Sequence, residues 1–213
     1  IVLQRVVAGA FRPRRCCFDI GRPSQRTVGV KDILPWLLAL QRNPRQMGAI
    51  FPATGALSRA MAKAAVHGRK ETSSIGIGAG TGRVTEALWR LSAGKMRIRA
   101  IEADQGLADR LRERLPGIEV ISGRFEKSPE KVFAGMERAI VVSSVPLFAL
   151  QNDSRSAYFA SLASAIKRGD VGRYVQYTYW PVLPWEGAKT LCGTDPRLVA
   201  LNFPPAWVWS QDH

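Results

Sequence analysis

Ser74-Ile75-Gly76-Ile77-Gly78-Ala79-Gly80-Thr81-Gly82 is the stretch on which the fold turns. An apolar strand pattern runs into a glycine at every second position, and Val84, Leu88 and Leu91 begin a helical spacing immediately afterwards. Glycines at 78, 80 and 82 let the backbone turn tightly and approach a ligand without interference from Cβ, while the helix that follows presents free N–H groups to it. A dinucleotide loop needs G-x-G-x-x-G; counted from Gly76 its last position is Thr81, and counted from Gly78 it is Arg83. The stretch predicts a strand, loop and helix around a ligand, without a pyrophosphate turn.

Outward from this loop, strand-like and helix-like stretches alternate from residue 73 onward, the pattern of βαβ units around a mostly parallel sheet. Strands are expected at 73–77, 97–102, 118–122, 139–144 and 173–179. Val84/Leu88/Leu91, Ala108/Leu111/Leu115, Val132/Phe133/Met136 and Phe159/Leu162/Ile166 carry the intervening helices at i, i+3 or i+4 spacing. Segments 198–202 and 207–210 flank Phe203-Pro204-Pro205, too few residues for a helical crossover, and are expected to pair antiparallel. The expected fold is α/β and Rossmann-like: a mostly parallel seven-stranded sheet with an antiparallel C-terminal strand pair over residues 49–213. A helix capped by Thr54, running through Leu57, Met61, Ala64 and Ala65 and ending near Gly68, leads into it.

Upstream the composition changes. Residues 1–70 hold 13 Lys/Arg against Asp19 and Asp32, a net +11 of the chain's +14. Such a balance attracts phosphate-bearing polymers and anionic lipid surfaces alike. Residues 1–30 have no sustained period and are expected to form a basic, disordered extension. Residues 31–48 are expected to hold an amphipathic helix, with Ile33, Leu34, Trp36, Leu37, Leu38 and Leu40 beside Lys31, Arg42 and Arg45. It suits a lipid headgroup layer or a cap on the protein's own core. No window approaches the roughly 18 uninterrupted apolar residues of a membrane span. Cys16, Cys17 and Cys192 form neither a secretory disulfide framework nor a zinc spacing, which predicts a reducing, cytoplasmic setting. With His67 and His213 the only histidines, chemistry without a metal or a histidine base is expected.

The Gly78-x-Gly80-x-Gly82 form resembles motif I of class I methyltransferases, whose cofactor is S-adenosyl-L-methionine. Glu102, closing the second strand 20 residues after Gly82, stands where a carboxylate can accept both ribose hydroxyls. Four further segments resemble the bacterial phospholipid N-methyltransferases that act on phosphatidylethanolamine, themselves similar to ribosomal RNA adenine dimethyltransferases. They are Arg42-Asn43-Pro44-Arg45-Gln46-Met47-Gly48-Ala49-Ile50, Val145-Pro146-Leu147, Val175-Gln176-Tyr177-Thr178-Tyr179 and Asn202-Phe203-Pro204-Pro205-Ala206-Trp207-Val208-Trp209. The resemblance implies an N-methyltransferase whose cofactor is held by Gly78, Ala79, Gly80, Thr81, Gly82, Glu102, Arg124, Phe125 and Ser143. It also implies a phospholipid headgroup as acceptor and peripheral attachment, through the helix at 31–42, to the anionic inner face of the cell membrane.

Methyl transfer from a sulfonium to an amine is an in-line displacement, so alignment in a dry cleft matters more than acid–base machinery. Ser144 and Pro146, after the fourth strand, and Tyr177 and Tyr179, on the fifth, are the expected acceptor-side residues. Aromatic rings there can attract an alkylammonium, worth about 0.5–2 kcal/mol each. Two positions depart from the family pattern: Gly76 stands where motif I carries an acid near the cofactor's ammonium. Gly123-Arg124 stands where Gly-Asp holds the adenine amino group, with Glu126 the nearest carboxylate. Adenine methylation in RNA is the competing reading, yet Ser144-Val145-Pro146-Leu147 lacks the amide and stacking ring of that branch's Asn-Leu-Pro-Tyr motif. A catalytically silent membrane- or RNA-binding protein on the same fold is the third.

Overall fold

The computed structural model of the chain describes residues 53–213; the basic extension, the helix expected over 31–48 and the Cys16-Cys17 pair lie outside the described residues. Thr54 starts the first helix, its hydroxyl accepting the Leu57 N–H at 3.3 Å. That helix, α1 (Gly55–Val66), buries Leu57, Met61, Ala62 and Ala65. There follow β1 (Ser73–Ile77), α2 (Arg83–Leu91), β2 (Arg97–Glu102), α3 (Gln105–Arg114), β3 (Glu119–Ser122) and α4 (Pro129–Phe133). The remainder is β4 (Ala139–Ser143), α5 (Asn152–Lys167), β5 (Val171–Thr178), α6 (Ala188–Cys192), β6 (Arg197–Val199) and β7 (Ala206–Asp212).

The sheet has seven strands in the order β3-β2-β1-β4-β5-β7-β6, parallel from β1 to β5, with β7 antiparallel to both β5 and β6. Period-two alternation sorts the strand residues to two faces. Ile75, Ile77, Val141 and Tyr174 pack with Val132, Phe133, Tyr158 and Leu162, while Ile98, Ile140, Val142 and Val175 pack with Leu57, Met61 and Leu88. From β1 the chain steps outward through β2 and β3, then returns to β4 on the other side of β1. Connections therefore diverge above β1 and β4, which is where an open α/β sheet forms its binding crevice.

Four details differ from the expectations. β5 ends at Thr178, leaving Tyr179 beyond the strand, and β4 ends at Ser143, leaving Ser144 in the following loop. β6 stops at Val199, and Asn202, expected on it, is buried in the turn, where its side-chain oxygen Oδ1 accepts from the Thr54 hydroxyl at 2.7 Å. α6, five residues long, is too short to show a period. Its last residue, Cys192, lies in the same core layer as Tyr158 and Tyr174, and burial pushes its thiol up to about 12. Arg99 is buried on β2, donating to the carbonyls of Val132 at 2.7 Å and Ala134 at 2.9 Å and to the Glu119 carboxylate at 2.7 Å.

Candidate active site

Beyond β1 the chain passes through Gly78, Gly80 and Gly82 at φ +67°, +53° and +74°, a region that glycine enters freely. The N–H groups of Gly78 and Ala79 both donate to the Ile101 carbonyl, at 2.9 and 3.0 Å, which pins the loop to β2. A Cβ at Gly78 would stand 3.0 Å from Val145 Cγ2, and one at Gly82 only 2.2 Å from Leu111 Cδ1. At Gly80 the nearest atom is 3.9 Å away.

Glu102 ends β2 nearly buried. One carboxylate oxygen accepts the Gly80 N–H at 2.6 Å and the other the Asp104 N–H at 2.9 Å. Each oxygen has acceptor capacity left, so the group can take two hydroxyls as well. Above it opens a cavity of about 430 Å³, within the range of small-molecule sites. Of the expected residues, Gly78, Ala79, Gly80, Thr81, Glu102, Arg124, Phe125, Ser144, Pro146 and Tyr177 line it together.

Gly82, Ser143 and Tyr179 do not line the cavity. Gly82 turns the chain into α2 against α3. Ser143 is fully buried, and its hydroxyl accepts from Tyr158 at 2.8 Å and from the Val145 N–H at 3.3 Å. Tyr179 packs edge-on to Tyr177 with ring centroids 5.5 Å apart.

From Tyr158 in the cavity wall a buried hydrogen-bond chain runs inward. Tyr158 and Tyr174 hydroxyls meet at 3.0 Å, Tyr174 donates to Gln176 at 2.8 Å, and the Gln176 amide donates to the carbonyls of Val145 at 3.1 Å and Tyr177 at 2.7 Å. Burial pushes the hydroxyls of Tyr158, Tyr174 and Tyr177 well above the ordinary phenol range. Tyr177 therefore stays protonated at any physiological pH and offers a ring and a neutral hydroxyl rather than a base.

Six wall residues lay outside the sequence reading of the site: Ala53, Arg83, Ala103, Leu107, Leu150 and Tyr158. Tyr158 stands four residues before Leu162 and could have been found by the same helical spacing. Glu126 also lines the cavity, two residues past the position where the resembled family has its Asp, and pairs with Arg124 Nε at 3.0 Å.

No family model and no curated protein matches the chain. Among solved structures, TrmN from Thermus thermophilus superposes with a TM-score of 0.57 at 14% identity, over 81% of this chain and 52% of that one. The methyltransferase subunit of a type I restriction-modification system from Streptococcus thermophilus gives 0.54 at 13%, over 76% and 44%. The fold is that of the class I methyltransferases. TrmK of M. capricolum, solved with S-adenosylhomocysteine, gives 0.51 at 9% identity, over 72% of this chain and 67% of that one. The chain thus spans about half the length of the first two.

Proposed function

We propose that the protein methylates an amine with S-adenosyl-L-methionine, and that the amine belongs to the phospholipid headgroup of phosphatidylethanolamine or its methylated derivatives. The observation that carries the reading is the joining, in one cavity wall, of the glycine loop, the Glu102 carboxylate and the Tyr177 ring. The residues fit the cofactor: Glu102 has acceptor capacity for two hydroxyls, and Gly80 leaves open the space that a side chain would fill. When bound, S-adenosylmethionine supplies a sulfonium methyl group.

The chain's own groups do the rest by placement. Glu102 and the loop 78–81 hold the nucleoside end. Tyr177 draws an alkylammonium by its ring, and the Ser144 hydroxyl in the wall can accept a hydrogen bond from the amine. An aliphatic ammonium titrates near ~10, and the largely apolar wall favours its neutral, nucleophilic form. A lipid acceptor is supported by two features. Leu147, buried at the end of Ser144-Val145-Pro146-Leu147, supplies no ring to stack on a base. Trp180 and Val182, just beyond β5, leave apolar surface exposed close in sequence to Tyr177.

Calorimetry with S-adenosylmethionine, followed by mass spectrometry of phosphatidylethanolamine vesicles incubated with protein and cofactor, tests both halves. Binding heat and methylated headgroups are expected. Methylated adenines in RNA with unchanged lipid would move the assignment to RNA. No binding at millimolar cofactor would leave a silent methyltransferase fold.

A further inference from the structure

Four charged side chains line the cavity among the described residues: Arg83, Glu102, Arg124 and Glu126. Three are already engaged. Glu102 holds two backbone N–H groups, and Arg124 and Glu126 neutralise each other. Arg83 has no hydrogen bond or ion pair among the described residues, because the nearest acid on its helix, Glu86, bonds Arg90 at 2.5 Å and Arg114 at 3.7 Å. Arg83 is also the first residue of α2, where the aligned peptide dipoles already present positive charge. The helix disfavours a cation there only slightly, since Arg83 is exposed, and no partner among the described residues holds it. Its guanidinium is thus the uncommitted charge of the described cavity wall.

Before the loop, on β1, stands Gly76. A side chain there would begin 3.4 Å from Thr85 Oγ1, in ordinary contact, yet the position carries no acid. The cofactor's amino-acid end has two charges by which it can be gripped, and the acid that motif I offers to its ammonium is missing. We propose that Arg83 binds the carboxylate of the cofactor's methionine moiety, so that this chain grips the donor by its anionic group rather than by its cationic one. The inference rests on the cofactor reading given above. A phosphate on the acceptor is the other oxyanion that a guanidinium in this wall could take, and the experiment separates the two.

Calorimetry on the full chain, without acceptor, compares S-adenosylmethionine with its decarboxylated analogue for the parent, Arg83→Gln and Arg83→Lys. The parent should prefer the carboxylated ligand. Arg83→Gln should lose about tenfold or more on that ligand and nothing on the analogue, and Arg83→Lys should keep part of the preference. Equal loss on both ligands, or none on either, overturns the proposal. If Arg83→Gln leaves both affinities intact and instead raises KM for phosphatidylethanolamine, the anion is the acceptor's phosphate and the proposal is wrong. A parent that binds neither ligand fails earlier, at the cofactor reading itself.

Discussion

Each carboxylate oxygen of Glu102 already accepts a backbone N–H, one from the glycine loop and one from the start of α3. An amide has a single acceptor oxygen, so Glu102→Gln must turn its NH2 toward one of those donors. The variant is expected to lose about 1–3 kcal/mol of stability and at least tenfold in cofactor affinity, read by denaturant titration and calorimetry. Full retention of both would mean that the carboxylate anchors nothing. The glycines next to it look equivalent in the sequence and are not. Gly82→Ala drives a methyl into Leu111 at a positive φ and should destabilise by about 2 kcal/mol or more. Gly80→Ala meets open space, so its cost is about 1 kcal/mol from backbone conformation alone, but its methyl enters the cavity. Urea melts should rank Gly82→Ala as the less stable protein, and ligand titration should show Gly80→Ala impaired while still folded.

At the scale of elements, Val145 joins the two loops of the site. Its side chain fills the space that Gly78 leaves, its N–H donates to Ser143 and its carbonyl accepts from Gln176. Gln176→Leu removes from β5 the amide that serves the carbonyls of Val145 and Tyr177, and leaves the Tyr174 hydroxyl with Tyr158 alone. A loss of about 1–3 kcal/mol is expected, with a larger effect on acceptor turnover than on cofactor affinity. Equal loss in both would place the amide's role in the fold at large. The sequence showed the glycine loop, Glu102 and the run of alternating strands and helices that makes a mostly parallel sheet, because periods of two and 3.6 and a run of glycines are local signals. It did not show Gln176 or Arg99 as buried groups, since a polar residue on a strand reads as solvent-facing until its partners, 31 to 35 residues away for Val145, Val132 and Ala134, are known. Nor did it show that Ser143 turns its hydroxyl to Tyr158 in the core, or that Tyr179, just past β5, stands beside Tyr177 outside the cavity lining.

For the whole molecule, the buried Cys192 thiol and three buried phenols set the alkaline limit. Tyr158, Tyr174 and Tyr177 titrate higher in the folded protein than the ~10 of an unfolded chain, so above that pH the unfolded state releases protons that the folded one keeps. Cys192, pushed up to about 12 in the fold against ~8.5 in an unfolded chain, starts the decline. Stability should therefore hold to pH ~8 and fall beyond it, more steeply above ~10, where Tyr177→Phe should flatten the fall by one proton's worth of slope. An identical slope would show that Tyr177 is not buried in solution. Charge gives a second test: with +14 overall, attachment to anionic vesicles should weaken as salt rises and in the Trp36→Glu/Leu37→Glu variant. Flotation that ignores both would remove the electrostatic and the apolar halves of the lipid argument together.

Cys192 turns the interior of the sheet into a clock. Its thiol, held in the core layer of Tyr158 and Tyr174 and pushed up to about 12, is closed to alkylating reagents while β5, α5 and α6 stay packed. A reagent can reach it only when that layer opens, so its labelling rate, followed by peptide mass spectrometry apart from Cys16 and Cys17, counts openings of the native state. Added cofactor need not touch this face to slow the count. If the ligand holds the folded form, each tenfold excess over its Kd lengthens the interval between openings about tenfold, and the cysteine becomes a gauge of occupancy for a cavity it does not line.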